Sequence, residues 1–363
     1  MSHDDRSILD ALADGTISRR DALRALAVAG AAIALPNVAN AQRGRGTQEP
    51  RDTIPLVPPF APTGWRVAWL DHLSYHCTDY ERAAAFYVAL MGWTVRSNDG
   101  KQAVLDIGDN SGSVIFRGGL VAPPPAALTD AGLGPQRPPI HAVFDSFAWG
   151  IEPWDTATVK AELEKRGLNP VADHVGSAYK SFHVKDPDGF DLVISNARKN
   201  VRRPMGGAAK LNAPLPFAAT NWKTRFVDHL SFEVADYRRS AAFYEALLGW
   251  KRRKGPGGGD DWPDSPKSLT MRIGTVAGAI VRANAAGKTA TNGTTATIGH
   301  ISFGIEPWDT ERVRQELIKR GAYYTIDGKQ TPRDDMAGAL SSFHVPDAMG
   351  WDLQISDRVK PSA

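Results

Sequence analysis

The sequence predicts an α+β protein built from tandem βαβββ modules, and three observations support this prediction. One sequence pattern occurs twice, from Asp71 to Trp93 and again from Asp228 to Trp250. In each copy, a strand-like pattern opens on Asp-His and passes through an Asp-Tyr turn into an amphipathic helix. Each helix pattern ends at Gly-Trp, where glycine is a typical C-terminal stop. The recurrence of these features in the same order indicates a tandem duplication.

The first copy divides into two units that share one order of elements. In the first unit, Val67 to Cys77 has the pattern of a strand and Tyr80 to Leu90 that of a helix. Three short strand patterns follow, at 93–96, 103–107 and 113–117. The second unit has a strand at 145–151, a helix at 158–166 capped by Asp155, and strands at 179–183 and 191–195. The sequence therefore predicts that both units begin with a strand and a helix and end with strands.

The second copy repeats this order and sets the domain limits. The segment 147–156 returns as 301–310, and the offset between matching residues stays nearly constant: 229 − 72 = 157, 306 − 152 = 154 and 350 − 189 = 161. Proline and glycine are frequent at 199–221, where no periodicity is sustained. We predict a lead-in at 42–65, a first domain at 66–198, a linker at 199–221, a second domain at 222–358 and a tail at 359–363.

The N-terminal segment has the parts of an export signal. Arg19 and Arg20 form a paired arginine, an apolar run follows from Ala25 to Leu35, and Ala39-Asn40-Ala41 resembles a cleavage site. The apolar run is shorter than the roughly 20 residues that a membrane-spanning helix needs. We predict that residues 1–41 are a twin-arginine signal peptide and that the mature protein is periplasmic or secreted. The alternative is an amphipathic cytoplasmic helix.

Composition excludes several classes of protein. Hydrophobic residues make up 42% of the 363 residues and charged residues 23%, as in ordinary soluble globular proteins. The net charge of +3, without a basic face that aromatic residues interrupt, argues against nucleic-acid binding. The single cysteine, Cys77, excludes an intrachain disulfide and a zinc-ribbon site.

Four units of this kind resemble the vicinal oxygen chelate superfamily. The resemblance rests on the His-x-x-Phe/Tyr openings, the Phe-Tyr-x-x-Leu-x-Gly-Trp helix ends and the Asp-Pro-Asp-Gly turn at 186–189. It covers about residues 66–198 and 222–358. The superfamily contains glyoxalases, extradiol dioxygenases and bleomycin-resistance-type binding proteins. The resemblance implies that each repeat forms a half-open barrel, in which residues of the first and last strands hold a divalent metal ion.

Carried over position by position, the resemblance implies a metal site in the second repeat. His229 and His300 open the first strands of its two units, and Gln354 lies on the last strand, where the superfamily usually has glutamate. Two imidazoles and one oxygen suit Fe(II), Mn(II) or Zn(II), and we expect one ion per chain. A neutral Gln354 should bind the ion more weakly than glutamate would. The first repeat has Ser146 and Val193 at the last two positions, so we expect no metal there.

Two further residues are candidates for catalysis. Glu233 shares the strand face of His229 by parity and could supply a negative charge or a general base. His344 matches a substrate-binding tyrosine of extradiol dioxygenases, so the resemblance implies an acid/base or hydrogen-bonding role. Histidine also occupies the matching position 183 of the first repeat. A buried structural imidazole that the backbone satisfies is therefore the alternative for His344.

These residues favour an exported, metal-dependent enzyme whose small substrate has vicinal oxygens and binds in the second repeat. Two histidines in a two-domain chain favour extradiol-type ring cleavage, whereas Gln354 favours a glyoxalase-like isomerisation. One alternative is a metal-free protein that sequesters a small molecule, as bleomycin-resistance proteins do. Another is a scaffold with only an assembly role. We expect a small-molecule substrate, no nucleic acid and no membrane span, and the tandem form allows a homodimer.

Overall fold

The computed structural model describes residues 55–108, 112–121, 141–253, 268–283, 296–326, 328–335 and 341–358. The predicted signal peptide, most of the lead-in and the predicted tail lie outside these residues. Within the described ranges, the chain forms two eight-stranded sheets, four helices and a separate two-stranded hairpin. None of these helices has the length and apolar character that are needed to cross a membrane.

Each sheet is assembled from two modules. The first sheet and its helices comprise β1 (Arg66–Cys77), α1 (Tyr80–Met91), β2 (Thr94–Asn98), β3 (Gln102–Asp106), β4 (Ser113–Arg117), β5 (Ala142–Glu152), α2 (Thr156–Lys165), β6 (Val171–Asp173), β7 (Ser181–Lys185) and β8 (Asp191–Ser195). The second comprises β9 (Lys223–Val234), α3 (Tyr237–Leu248), β10 (Lys251–Arg252), β11 (Ser268–Ile273), β12 (Ala277–Ala283), β13 (Thr297–Glu306), α4 (Thr310–Lys319), the hairpin β14 (Tyr324–Ile326) and β15 (Lys329–Thr331), β16 (Arg333–Asp335), β17 (Ser342–Pro346) and β18 (Asp352–Ser356).

The strand order is the same in both sheets: β2-β3-β4-β1-β5-β8-β7-β6 in the first and β10-β11-β12-β9-β13-β18-β17-β16 in the second. The opening strands of the two modules pair antiparallel, β1 with β5 and β9 with β13. Each opening strand also pairs in parallel with the last strand of its own module. Each order has two free ends among the described strands, so neither sheet closes into a barrel. The predicted α+β fold with tandem βαβββ modules is confirmed.

The helix limits follow from local sequence. Asp79 caps α1 by accepting a hydrogen bond from the backbone amide of Arg82 at 3.0 Å, and Asp236 caps α3 in the same way. Such caps typically contribute about 1 kcal/mol. Helices α1 and α3 end at Gly92 and Gly249, both in the left-handed conformation with a φ of 67°. Glycine adopts this conformation without a steric penalty, so the repeated Gly-Trp motif ends both helices at the same point.

The predicted elements of the first repeat agree with the structure to within a few residues, but one short strand was missed. The three-residue strand β6 is largely exposed and has no hydrophobic alternation. Its pairing with β7 forms the edge of the sheet. The second repeat has three more strands of this length, β14, β15 and β16. Strands this short carry too little periodicity to be recognised in a sequence.

The two repeats share one hydrophobic core and exchange polar contacts. The hydroxyl of Tyr87 on α1 donates to Asp347, in the turn before the last strand of the second repeat, at 2.7 Å. Tyr244 on α3 donates to Asp186, in the matching turn of the first repeat, at 2.5 Å. The tyrosine and the turn are duplicated, so each repeat supplies one donor and one acceptor. The limits predicted for the two domains stay a prediction.

The predicted linker crosses the first sheet. Arg202 binds Asp106 of β3 at 2.7 Å, and Arg203 binds Asp173 of β6 at 2.7 Å. These strands are second and eighth in the order, so six spacings of about 4.8 Å would separate them by roughly 29 Å in a flat sheet. Two adjacent side chains cannot span that distance. The first sheet is therefore curled into a half-open cup, and residues 202–203, which we call the strap, cross its concave face.

Candidate metal centre

One face of the second sheet brings the predicted metal ligands together. Residues that pair across neighbouring strands share a face of the sheet. The strand register defines a first row of His229, Ser302, Gln354, His344 and Arg333. The adjacent row contains Ser231, His300 and Asp352. We call this polar face the second cup and the matching face of the first sheet the first cup.

The imidazole of His229 is oriented by the preceding residue. Its Nδ1 lies 2.9 Å from Oδ2 of Asp228, and Nε of Arg358 lies 3.3 Å from Oδ1 of the same carboxylate. Burial alone would raise the pKa of Asp228, but His229 and Arg358 outweigh it and the pKa is lowered. An ionised Asp228 accepts the Nδ1 hydrogen of His229. The Nε2 atom of His229 then has a lone pair available for a ligand.

His300 lies between two other histidines. Its Nε2 is 3.0 Å from Nε2 of His229, and its ring centroid is 4.9 Å from that of His344. Burial and the positive charge that His344 and His229 can carry lower the pKa of His300 well below its usual value. The ring is therefore neutral at pH 7. Two nitrogens at this distance either share one hydrogen or bind the same cation.

His344 is held by a carboxylate. Its Nδ1 lies 2.9 Å from Oδ2 of Asp352, which Arg333 also contacts at 3.0 Å, and the hydroxyl of Tyr324 donates to Oδ1 at 3.0 Å. Burial would raise the pKa of Asp352, but His344 and Arg333 outweigh it and the pKa is lowered. A carboxylate is thus the partner of Nδ1, as it is for His183 in the first repeat, and the role of His344 stays a prediction. His300, His344 and Asp352 each offer one metal-ligand atom, all within 4.8 Å of one another.

Gln354 is fully buried and half satisfied. Its Nε2 donates to the hydroxyl of Ser342 at 2.9 Å, whereas its Oε1 has no hydrogen-bond partner. A buried acceptor without a partner typically costs about 1–3 kcal/mol, which a water molecule, a ligand or a cation would remove. This orphaned oxygen supports the predicted role of Gln354 as an oxygen donor, and the role itself stays a prediction.

Glu233 lies on the same face, one row further along β9. The register aligns it with Arg282 of β12 and Thr297 of β13. Its side chain is partly exposed, and its carboxylate lies over Gly299, where an added Cβ would stand 2.9 Å from Oε1. Gly299 therefore makes room for this carboxylate beside His300. The role of Glu233 as a base stays a prediction.

The second cup contains further buried polar atoms without partners. They are Oγ of Ser231, Ser302 and Ser356, and Nε of Arg333, in addition to Oε1 of Gln354. Most buried polar groups in proteins are hydrogen-bonded. A set of five from four strands on one concave face indicates a site that water or a polar ligand fills.

The first cup has a different lining at the same positions. Ala148, Val193 and Val171 stand where the second cup has Ser302, Gln354 and Arg333. His72 remains, but neither ring nitrogen has a hydrogen-bond partner, although Asp71 lies 3.5 Å away. The carboxylate of Asp71 accepts instead from Tyr179 and Ser195, at 2.5 Å and 2.9 Å. The first cup therefore keeps the imidazoles of His72 and His183, but the residues between and beside them are apolar.

Three residues of the second cup were not predicted from the sequence. Asp228 could have been identified from the sequence, since an aspartate precedes the opening histidine in both copies. Asp352 shares its strand face with Gln354 and has a counterpart in Asp191, which binds His183 in the first repeat at 2.8 Å. Parity along the last strand could have identified it. Arg333 lies on one of the short edge strands and had no signal in the sequence.

Comparisons with known proteins agree with this architecture. A Mn(II)-bound glyoxalase from Novosphingobium aromaticivorans is 14% identical, with a TM-score of 0.53 over 82% of this chain and 85% of that chain. The 2,2',3-trihydroxybiphenyl 1,2-dioxygenase of Sphingomonas wittichii strain RW1 is 14% identical, with a TM-score of 0.50 over 80% and 90%. An extradiol ring-cleaving dioxygenase from B. fuscum is 15% identical, with a TM-score of 0.51 over 85% and 75%. At these identities, the likeness shows the fold.

A search of curated protein sequences finds no match to this chain. The sequence profile of one family matches it twice, at residues 69–194 and at residues 226–355, which together make up most of the chain. The two matches coincide with the two cups and their helices, as the resemblance implied. The chain therefore belongs to the Glyoxalase/Bleomycin resistance protein/Dioxygenase superfamily.

Proposed function

We propose that this protein is a divalent-metal-dependent enzyme that acts, in its second cup, on a small substrate with two vicinal oxygens. The observation that carries the proposal is the 3.0 Å separation of the Nε2 atoms of His229 and His300. Nitrogens that bind one ion at about 2.1 Å on adjacent octahedral corners are separated by about this distance. The orphaned oxygen of Gln354 supplies a third donor on the same face.

The residues present fit a metal ion. His300 is neutral at pH 7 and Asp228 fixes the hydrogen of His229 on Nδ1, so two imidazole lone pairs are available. Imidazoles with one oxygen donor suit Fe(II), Mn(II) or Zn(II). When bound, such an ion supplies a Lewis acid that chelates vicinal oxygens and stabilises the negative charge that develops on them. The His300, His344 and Asp352 group offers a second set of donors around the same imidazole.

The other polar residues of the second cup would handle protons. The hydrogen bond to Asp352 places the hydrogen of His344 on Nδ1, so its Nε2 can accept a proton from a substrate hydroxyl. The ionised Asp352 would then stabilise the imidazolium, as a carboxylate does for a catalytic histidine. Glu233, which lies one row further along β9, would serve as an additional general base.

We place ring cleavage of a catechol by dioxygen first among the reactions and isomerisation of a 2-oxoaldehyde adduct second. Two histidines of a two-repeat chain support ring cleavage, and two of the compared proteins are described as ring-cleaving or aromatic dioxygenases. The neutral Gln354 and the Mn(II)-bound glyoxalase support isomerisation. Turnover of catechols under dioxygen, and of methylglyoxal with a thiol without dioxygen, would distinguish the two.

A metal-free binding protein is the second candidate function, and one observation favours it. The amide of Gln354 already has a structural partner, because it donates to Ser342. Its side chain is neutral and would cancel no charge on a metal ion. The five unpartnered polar atoms would then receive a polar ligand directly. In that case, the protein would bind its ligand equally well in the presence of a chelator.

Metal analysis of anaerobically purified protein, after reconstitution with Fe(II), Mn(II) or Zn(II), tests the proposal. We expect about one ion per chain, lost in His300→Ala and retained in His72→Ala, which removes the opening histidine of the first cup. A wild-type protein that binds none of these ions would exclude the metalloenzyme and favour the binding protein.

We also propose that the chain is exported by the twin-arginine route, since residues 18–41 contain all parts of such a signal in order. Mass spectrometry of the protein from a bacterial host should show cleavage after Ala41. Replacement of Arg19 and Arg20 by lysine should retain the precursor in the cytoplasm. A full-length protein in both cases would contradict export.

A further inference from the structure

Arg333 has an unused hydrogen-bonding capacity in the second cup. It lies on the edge strand β16, where the register aligns it with His344 of β17. One terminal nitrogen binds Asp352 at 3.0 Å, and the side chain is 36% exposed. Its Nε is buried and has no hydrogen-bond partner. The guanidinium therefore keeps a donor beside the candidate catalytic histidine, and part of the group is accessible from outside.

The electrostatics of the second cup favour an anion. Arg282 of β12 and Arg333 of β16 flank the strand of His300 in the strand order of the sheet, and both bring positive charge into the second cup. Arg358 adds a third positive charge, at Asp228. A bound divalent ion would increase this positive potential further. The carboxylates of Asp228, Asp352 and Glu233 offset the three arginines, so the charge of a bound ion would be in excess and would attract an anion.

The first cup shows that this arginine is not required by the fold. Val171 stands at the position of Arg333 and aligns with His183 in the same way. The cup and the pairing between a histidine and an aspartate form without an arginine at this position, since His183 binds Asp191 at 2.8 Å. Arg333 is therefore an addition to the second cup, where one terminal nitrogen contacts Asp352 and the Nε hydrogen is left for another acceptor.

We infer that Arg333 binds a carboxylate of the substrate, so that the substrate is a vicinal-oxygen compound that also carries a carboxylate group. A guanidinium presents planar, paired donors that match the two oxygens of a carboxylate, and such charge-assisted hydrogen bonds are stronger than neutral ones. Arg333 would determine specificity, while His229 and His300 hold the metal. The inference rests on the proposed function and names the substrate class for that site.

Equilibrium binding of substrate-like acids tests this inference without any need for turnover. The probes are 3,4-dihydroxybenzoate and 2,3-dihydroxybenzoate, each paired with its neutral methyl ester. Binding to the Zn(II)-loaded protein is measured by calorimetry without dioxygen. We expect at least one acid to bind the wild type about 10-fold or more tightly than its ester, as a charge-assisted pair at a partly buried site allows. Arg333→Gln should bring each acid to within about 2-fold of its ester, and Arg333→Lys should keep part of the preference.

The matched control is Arg314→Gln. Arg314 binds Asp334, the neighbour of Arg333 on β16, but projects from α4. This variant disturbs the same edge strand and should keep the preference for the acid. The inference is overturned if Arg333→Gln keeps that preference, if the wild type has none, or if the metal-loaded wild type binds neither acid. If the wild type takes up no metal, the proposed function fails first and the inference fails with it.

Discussion

The two cups have the same backbone and opposite linings. The row across the second cup runs through His229, Ser302, Gln354 and His344, with five buried polar atoms unpartnered on that face. The same row in the first cup includes Ala148 and Val193. The two arginines of the strap cross the concave face of the first cup and bind Asp106 and Asp173. Buried polar atoms without partners occur in both repeats, among them both ring nitrogens of His72 in the first cup, so the two cups differ in which side chains line them.

This difference separates the needs of the fold from those of the site. Both repeats keep the aspartate caps, the helix-ending glycines and the tyrosine that reaches the other repeat, because these stabilise the shared core. Both also keep the opening histidine and the pair formed by a histidine and an aspartate on the last strands. Only the second repeat adds His300, Gln354 and Arg333. A duplicated chain thus provides an internal reference in which structural residues recur and the candidate ligands do not.

The largest effect is expected from giving the second cup the residue of the first. His300→Ser places there the residue found at Ser146. Loss of one of two imidazoles should weaken metal binding by at least about 100-fold, beyond the effect of an outer-shell partner. Competition with a chromogenic chelator measures the affinity. The matched variant His72→Ala should leave the affinity unchanged, and a His300→Ser protein of wild-type affinity would remove His300 from the metal site.

A second prediction sharpens the role of Gln354. Gln354→Glu has nearly the same shape and adds the charge that the neutral amide lacks. Metal affinity should rise about 10-fold or more, whereas the metal-free protein should lose about 1–3 kcal/mol of stability, since the carboxylate is fully buried. Chelator competition and urea unfolding measure the two effects. Gln315→Glu adds the same charge on the exposed face of α4, where it also loses a hydrogen bond to Glu311, and it should leave the metal affinity unchanged and cost less than about 1 kcal/mol. Unchanged affinity in Gln354→Glu would show that residue 354 does not bind the metal.

The strap allows a third test. Arg202→Ala combined with Arg203→Ala should lower the free energy of unfolding by about 1–3 kcal/mol, because Asp106 and Asp173 would lose partly buried partners. No metal should bind in the opened first cup, which has a single opening imidazole. The control is Arg66→Ala, whose ion pair with Glu152 is exposed and should be worth less than about 0.5 kcal/mol. A metal taken up by the opened first cup would contradict the distinction between the cups.

The smallest effect concerns pH. In the first cup, the hydrogen bond to Asp191 raises the pKa of His183, although burial opposes this. A histidine with a raised pKa stabilises the fold below its unfolded pKa of about 6.5, and this contribution is lost as the pH rises through the folded value. The wild type should therefore exceed His183→Gln in stability by up to about 1 kcal/mol near pH 5.5 and by less near pH 8.5. Urea unfolding at both values checks this, and a difference that grows with pH would contradict it.

Much of the fold could be predicted because it depends on repeated local signals. The Asp-Tyr turn, the Gly-Trp helix end and period-2 strands recur in both copies, so the modules could be recognised from the sequence. Positions 229, 300 and 354 were predicted from a resemblance, and the structure brings all three onto one face. Arg333 and the strap were not predictable, since a three-residue edge strand and an irregular segment have no periodicity. The contacts of Arg333 and the strap depend on how each sheet curls, and local sequence patterns do not indicate that curl.

An anomalous-difference map from crystals soaked with Mn(II) would locate the metal directly. We expect one strong peak per chain, in the second cup, within about 2.3 Å of Nε2 of both His229 and His300. We expect no peak in the first cup, beside His72. A peak in the first cup, or none between the two histidines at full occupancy of the soak, would contradict the claim that the second cup is the metal centre.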